Sequence, residues 1–365
     1  LGSYSISIDQ IVKKNIENMI GCVQIPVGIA GPVLINGEFA KGSYWIPLAT
    51  TEGALVASIN RGCNLITKAG GSDVRILRNG MTRAPVFATN SIIHATEVSK
   101  WVENNFELLK KASESTSHHG ILIGLKTYVV GTNVFVRFEF DTKDAMGMNM
   151  VTIASEYASK IIEKETGARL VSVSGNMCCD KKPSAINIIE GRGKSVVAGV
   201  FLSDDLISST LKTDAKTLVE VNTRKNLVGS ARSASLGFNA HAANVIAAIY
   251  LACGQDPAHV VEGSNAITTV DPVSGGVYVS VSIPSIQVGT VGGGTGIDTQ
   301  KSCLSILGVA GGCCENPGEH SKKFSEIIAV AVLAGELSLL GALGAQQLSK
   351  AHIKFGRGEC NLQKH

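Results

Sequence analysis

Between Ala84 and Gly175 the chain spells out an element order that strongly constrains its fold. PVFATNS reads as a strand and Thr96 to Lys111 as an amphipathic helix. ILIGLKTYVV and NVFVRFEFD read as a hairpin turning at Gly131-Thr132-Asn133, Met146 to Glu165 as a second helix, and Arg169 to Val173 as a last strand. The order βαββαβ is that of ferredoxin-like domains. The two ends of such a domain lie close together, so residues 85–174 predict an insertion into a larger body.

That body comprises residues 1–84 and 175–352, followed by a mobile tail at 353–365. Ile8 to Met19 reads as a short helix, followed by an extended segment punctuated by Gly and Pro. A helix through Leu55, Ile59, Cys63 and Ile66 follows, capped by Thr50 or Thr51 and closed at Gly70-Gly71. Past the insertion, Ala185 to Val200 is β-rich and Ser203 to Asn226 holds a helix. Ala240 to Cys253 is an alanine-rich helix stopped by Gly254. SNAITTV, GVYVSVSI and PSIQVGTV read as strands, and Ser321 to Ile353 as a long Ala/Leu helical region. The predicted class is α+β: a large mixed helix and sheet domain around a long central helix, with an inserted ferredoxin-like small domain.

Composition narrows the function. With 40 glycines and only 17% charged residues among 365, the chain resembles one that buries surface in an oligomer. A net charge of +3, no Lys/Arg stripe and 5% aromatics argue against a nucleic-acid partner. Nine cysteines form no CxxC pair, and no histidine spacing completes a zinc site, so reduced thiols in a cytoplasmic compartment and no metal are expected. The uncharged run Ser233–Gln255 contains Asn239, His241, Asn244 and Gln255 and reads as a buried helix rather than a membrane span. No signal peptide opens the chain, and its abrupt start at Leu1 fits a segment missing before it.

The chemistry-bearing candidates are dispersed. SGNMCCDKKP, from Ser174 to Pro183, sets Asp180, Lys181 and Lys182 in a turn, either as a solvated loop or as ammonium groups held against an oxyanion. Glu52 in ATTEGA is read in the first turn of a helix, as a dipole partner or as a general acid/base whose pKa burial or a second carboxylate must raise. Asp256 is either a turn former before Pro257 or that second carboxylate. His241 and Asn244 share one face of the alanine-rich helix, and such a polar pair needs partners or a site. GTVGGGTG (Gly289–Gly296) permits close approach of a ligand, although neither a P-loop nor a Rossmann turn surrounds it. DAMGMNM (Asp144–Met150) opens a helix with a cluster of methionines. Arg83 and Lys225 are isolated cations; His352 near a helix end is able to protonate a thiolate leaving group. His118-His119 lacks a third metal ligand nearby.

ENMIGCVQIPVGIAGP, ATTEGALVASINRGC, DAMGMNM, SGNMCCDKKPSAIN, EVNTRKNLVGS, NAHAANVIAAIYLACGQDPA and GTVGGGT occur in this order. Together they make the chain, over nearly its whole length, closely similar to the 3-hydroxy-3-methylglutaryl-coenzyme A (HMG-CoA) reductases of class I, in the stand-alone soluble archaeal style. The resemblance implies four-electron reduction of HMG-CoA to mevalonate and CoA by two NADPH, in the mevalonate pathway. It implies catalytic Glu52, Lys181, Asp256 and His352. Arg83, Ser174, Asp180, Lys182 and Lys225 then hold the acyl group, and His241 and Asn244 line the pocket. Nucleotide contacts fall on Asp144, Met148, Asn149 and Gly292, with Met146, Gly147 and Gly293 beside them and Ser117 and His118 near the 2′-phosphate. It also implies a homodimer with active sites shared between subunits, possibly paired into a tetramer.

Two departures stand out. His118 follows Ser117 where animal forms carry an arginine, which loosens the expected preference for NADPH over NADH. Gly358 stands where animal forms carry a regulatory serine, so no phosphorylation switch is expected there. An NAD-preferring relative running the reaction backward and a catalytically dead acyl-CoA-binding homologue are the competing readings. The intact Glu52, Lys181, Asp256 and His352 speak against the latter.

Overall fold

A computed structural model describes residues 8–117 and 119–346. The readings made for His118, His352 and the tail at 353–365 lie outside the described residues. Helix α1 (Ile8–Lys14) is shorter than expected and precedes the antiparallel pair β1 (Val27–Asn36) and β2 (Lys41–Ala49). Helix α2 (Leu55–Lys68) buries Leu55, Ile59, Cys63 and Ile66, the apolar stripe expected from their spacing. Strand β3 (Ser72–Arg83) was not foreseen, and it joins the two halves of the molecule. Its first residues pair with β8 (Gly193–Ser203), and Met81, Thr82 and Arg83 pair with β6 (Asn133–Asp141).

Within the insertion, β4 (Val86–Ala88), β5 (Ile121–Val130), β6 and β7 (Arg169–Ser172) form an antiparallel sheet in the order β7-β4-β6-β5. The helix expected over Thr96–Lys111 is two helices, α3 (Ile92–Asn104) and α4 (Phe106–Glu114), separated at Asn105. Ser91 caps α3 by accepting from the His94 N–H. Helix α5 (Met148–Thr166) completes this body, whose buried cluster includes Phe87, Phe138, Phe140, Val151 and Ile162.

The larger core gathers around the helix Glu319–Gly344, which packs on α2, β8, β10 (Gly276–Ile286) and the helix Ala242–Ala252. Glu319–Gly344 is long and apolar enough to cross a membrane, but 83% of its most apolar window is buried inside the protein. Strand β9 (Ile267–Val273) pairs with β10 at the sheet edge, and PSIQVGTV is no separate strand, because its first residues finish β10. The segment expected to be β-rich after Ala185 first forms a short helix, Ala185–Ile189, and only then β8. The helical region after Ser203 is broken into short α pieces and two π-helical turns, Ile207–Leu211 and Asn222–Gly229. π turns often mark functional positions, and the second of these carries Lys225.

Candidate active site

The SGNMCCDKKP turn connects β7 to the helix Ala185–Ile189 and is held in an unusual backbone. Asn176, Cys179 and Lys181 all have left-handed φ, at 64°, 44° and 58°. Each such non-glycine residue costs of order 1–3 kcal/mol, a penalty that surrounding contacts must offset. Those contacts are present. The Asn187 amide donates to the Cys179 carbonyl at 3.1 Å, and the Lys182 ammonium donates to the Asp180 carbonyl at 3.0 Å. Cys178 is buried, with the Ser174 hydroxyl 3.6 Å from its sulfur. Burial pushes its thiol pKa up, but the Ser174 contact and the Arg192 and Arg83 guanidinium groups outweigh this and lower it.

The strained turn presents Lys181 to Asp256, with 2.7 Å between ammonium and carboxylate. Asp256 sits after the alanine-rich helix and caps the next turn, accepting from the Ala258 N–H at 3.0 Å. Partial burial alone raises its pKa. The Lys181 and Ala258 hydrogen bonds and the nearby positive charge reverse the sign, so the carboxyl titrates below its ordinary range. Lys181 keeps 44% of its side chain exposed and so retains donors for a ligand.

Asp180 faces the other way, into a buried charge cluster. One oxygen lies 3.0 Å from Arg192 and the other 4.0 Å from Arg83 at the end of β3. Arg83 also donates to Thr152 on α5 at 2.9 Å, tying the turn to the insertion. Asp180, His259 and Glu262 bring three donor atoms within 4.8 Å of one another. The Arg192 guanidinium, 3.0 Å from Asp180 and from Glu262, supplies the cation there.

A second constellation lies at the opposite end of the helix Ala242–Ala252. Asn244 reaches Glu52 Oε1 and His241 Nδ1, each at 3.5 Å. His241 Nε2 is 2.8 Å from the Gly335 carbonyl, an acceptor that fixes the proton on Nε2 and leaves Nδ1 to accept. Buried Glu336 accepts from the Ala240 and His241 N–H groups and from the Thr268 hydroxyl. Lys225 donates to Asn226 at 3.0 Å, and burial lowers its pKa against the opposing pull of Glu336. Glu52 does not sit in the first helical turn as expected. It precedes α2, whose first capping position is Ala54 in a left-handed conformation. Thr50 accepts from the Glu52 N–H rather than capping the helix, so the dipole argument for Glu52 does not apply.

The two constellations gather around opposite ends of the helix Ala242–Ala252. From Asn244 to Ala252 the helix axis runs about 12 Å at 1.5 Å per residue. Among the described residues, no hydrogen bond or ion pair links Glu52 to Lys181 or Asp256.

A third group gathers on the insertion side. DAMGMNM and GTVGGGT lie edge to edge, joined by an Ala145–Val291 bridge and by the Thr290 N–H donating to the Asp144 carbonyl at 2.7 Å. A side chain at Gly289 would collide with the Met146 backbone, so the approach requires glycine. Gly292 and Gly293 are exposed, with positive φ. Helix α5 begins after Gly147 with no side-chain cap, which leaves the amides of Met148 and Asn149 at its start. The Ser117 hydroxyl donates to the Met150 sulfur at 3.2 Å, putting that loop beside the same helix start. Asp144 departs from its expected role as a nucleotide contact. Only 5% exposed, its carboxylate accepts from the Cys313, Gly318 and Ser321 N–H groups and frames the site from within.

The sequence reading overlooked Arg192, His259, Glu262 and Glu336. The signal for two of them was present: His259 follows Asp256, and Glu262 follows His259, each at i+3, the spacing of neighbouring side chains on a helix.

The family model for hydroxymethylglutaryl-coenzyme A reductase matches residues 1–357. The chain belongs to the HMG-CoA reductase family. An HMG-CoA reductase of Halobacterium salinarum is 53% identical over 357 residues, 98% of this chain and 88% of that protein. One from Methanocaldococcus jannaschii is 55% identical over 361 residues, covering 97% and 88%. Among solved structures, a class II HMG-CoA reductase of Streptococcus pneumoniae bound to NADPH superposes with a TM-score of 0.74 at 18% identity, over 92% of this chain and 89% of that one. At that identity the likeness is one of fold. The mixed helix and sheet architecture of this chain is that of HMG-CoA reductases.

Proposed function

We propose that this chain is an NADPH-dependent HMG-CoA reductase of the mevalonate pathway, converting HMG-CoA to mevalonate and CoA. The observation that carries the reading is the Lys181–Asp256 pair on a strained turn, in a chain about half identical to named reductases over nearly its whole length.

NADPH supplies two successive hydrides, first to the thioester carbonyl and then to the resulting aldehyde. The uncapped start of α5 and the open glycine segment suit a phosphate-bearing nucleotide, because free helix-start amides attract anions. Met146, Gly147, Met148, Asn149, Gly292, Gly293 and Ser117 border this region. As hydride arrives, negative charge builds on the carbonyl oxygen. Lys181, held charged by Asp256, meets it with an ammonium donor. Arg83, Ser174, Lys182 and Lys225 surround the acyl carboxylate and hydroxyl, while Asp180, turned toward Arg192 and Arg83, supports them from behind. Glu52, oriented by Asn244 and through it by His241, delivers a proton to the aldehyde oxygen. His352 protonates the departing thiolate.

Glu52 is met by Asn244 near the start of the helix Ala242–Ala252 and Lys181 by Asp256 past its end, which favours a homodimer in which one chain's Lys181 faces the partner's Glu52. Pairing of dimers into tetramers is compatible with this arrangement. The strand order β7-β4-β6-β5 supports reading residues 85–174 as a ferredoxin-like insertion into the domain formed by 1–84 and 175–352. The seven ordered sequence segments support the class I assignment. Cysteines free of disulfides among the described residues fit a cytoplasmic setting.

The test is NADPH absorbance with HMG-CoA and the purified chain. Two NADPH consumed per CoA released, and a slower rate with NADH, is the expected result. No oxidation of either nucleotide contradicts the reading.

A further inference from the structure

Behind the Lys181–Asp256 pair lies a sealed layer of charge whose members the mechanism above does not use. His259 has no exposed surface. Its Nδ1 is 2.8 Å from Oε2 of Glu262, itself fully buried. That carboxylate also accepts from Arg192 at 3.0 Å on both oxygens and from the Asn187 amide at 3.1 Å. A carboxylate partner places a proton on Nδ1. The other ring nitrogen, Nε2, is buried and has no hydrogen-bond partner among the described residues. It points between two carboxylates, Asp256 Oδ2 at 3.7 Å and Asp180 Oδ1 at 3.9 Å.

Further charged groups surround these carboxylates. Arg192 is 3.0 Å from the same Asp180 oxygen, and Arg83 is 4.0 Å from the other one. Lys181 is 2.7 Å from the same Asp256 oxygen that Nε2 faces. Tyr250, on the alanine-rich helix, contributes a buried hydroxyl that burial above all, with the Glu262 and Asp256 charges, keeps protonated. A bare lone pair on Nε2 would face two carboxylate oxygens and be repelled. A proton there is attracted by both.

We infer that His259 is a positioning residue, an imidazolium clamped by Glu262 whose Nε2–H braces Asp256 and Asp180 from behind and so fixes the carboxylate that aims Lys181. This rests on the reductase reading. His259 touches neither the substrate nor the reacting atoms. As pH rises and Nε2 gives up its proton, its lone pair turns toward the two carboxylates and Asp256 loses its brace. Lys181 then loses its aim while the acyl-binding side chains stay in place. The consequence is a fall in kcat on the basic side of the pH profile, with KM for HMG-CoA nearly unchanged.

The experiment measures kcat and KM for HMG-CoA across the pH range in the full chain and in His259→Gln and Glu262→Gln, with folding checked by melting. Glutamine can donate a hydrogen bond but does not titrate. His259→Gln is expected to lower kcat about tenfold through loosened positioning, to leave KM within about twofold, and to abolish the basic limb. Glu262→Gln removes the anion holding the imidazolium and is expected to move that limb to lower pH. Unchanged limbs in the folded variants overturn the inference. Where a variant does not fold, nitrogen-15 spectra of the wild-type histidines decide. A solvent-protected ring with both nitrogens protonated at neutral pH is expected, and a neutral protected ring overturns the inference. Failure of the reductase reading shows up separately, as wild-type protein that oxidises no nucleotide.

Discussion

Lys181 is held by two kinds of constraint: a left-handed backbone that fixes where its side chain starts, and an aspartate that fixes where it ends. A rigid ammonium needs no reorganisation when charge develops on the carbonyl oxygen, and the catalytic role proposed for Lys181 rests on this. Lys181→Ala should therefore lower turnover about 10²–10³-fold in the nucleotide absorbance assay, with the melting temperature close to wild type. The partner residue makes a pH-dependent contribution. Because the Asp256 pKa is depressed in the folded state, its pairing stabilises the protein above the ordinary aspartate range and is lost as pH falls through the folded value. The pair is partly exposed, so solvent screening keeps the effect within about 1 kcal/mol. Urea midpoints of wild type and Asp256→Asn should differ near neutral pH and converge once pH falls below the depressed folded value. A difference that persists in acid would assign the effect to packing.

Helix α2 and the helix Glu319–Gly344 carry the larger core, and their contact leaves no spare room. A Cβ at Gly62 would collide with the Ala334 backbone, while Arg61 and Ser58 both bond Ser338 across the same contact. Gly62→Ala should cost about 1–3 kcal/mol by forcing the helices apart, measured by urea unfolding. A neutral result would mean that the helices approach less closely than described. Elements whose signal is local were legible in the sequence. The stripe of α2, the strand–turn–strand of β5 and β6, the apolar run of the last long helix and the alanine-rich helix each declare themselves by period and composition. Strand β3 was not legible, because Arg75 and Arg78 lie in it and are satisfied by Glu38, Glu139 and Glu190 from elsewhere in the chain. The break at Asn105 and the π turns around Lys225 likewise depend on packing rather than propensity. At the site, motif residues such as Lys181 and Asp256 could be named in advance. The buried groups behind them could not, since an apolar window does not disclose that Glu336 or His259 will find partners.

In the assembly proposed here, Glu52 and Lys181 of one active site belong to different subunits. Within a chain they are separated along the helix Ala242–Ala252, with Asn244 near its start holding Glu52 and Asp256 past its end holding Lys181. An isologous dimer resolves this, because each interface then contains two such pairings related by symmetry. Complementation between dead subunits tests the arrangement directly. Glu52→Gln and Lys181→Ala chains are each expected to be inactive alone. After unfolding and refolding together in equal amounts, half the dimers are mixed, and each mixed dimer holds one site with both residues intact. The prediction is recovery of about a quarter of wild-type NADPH oxidation. A mixture as inactive as its two components would contradict the shared site and return both residues to a single chain.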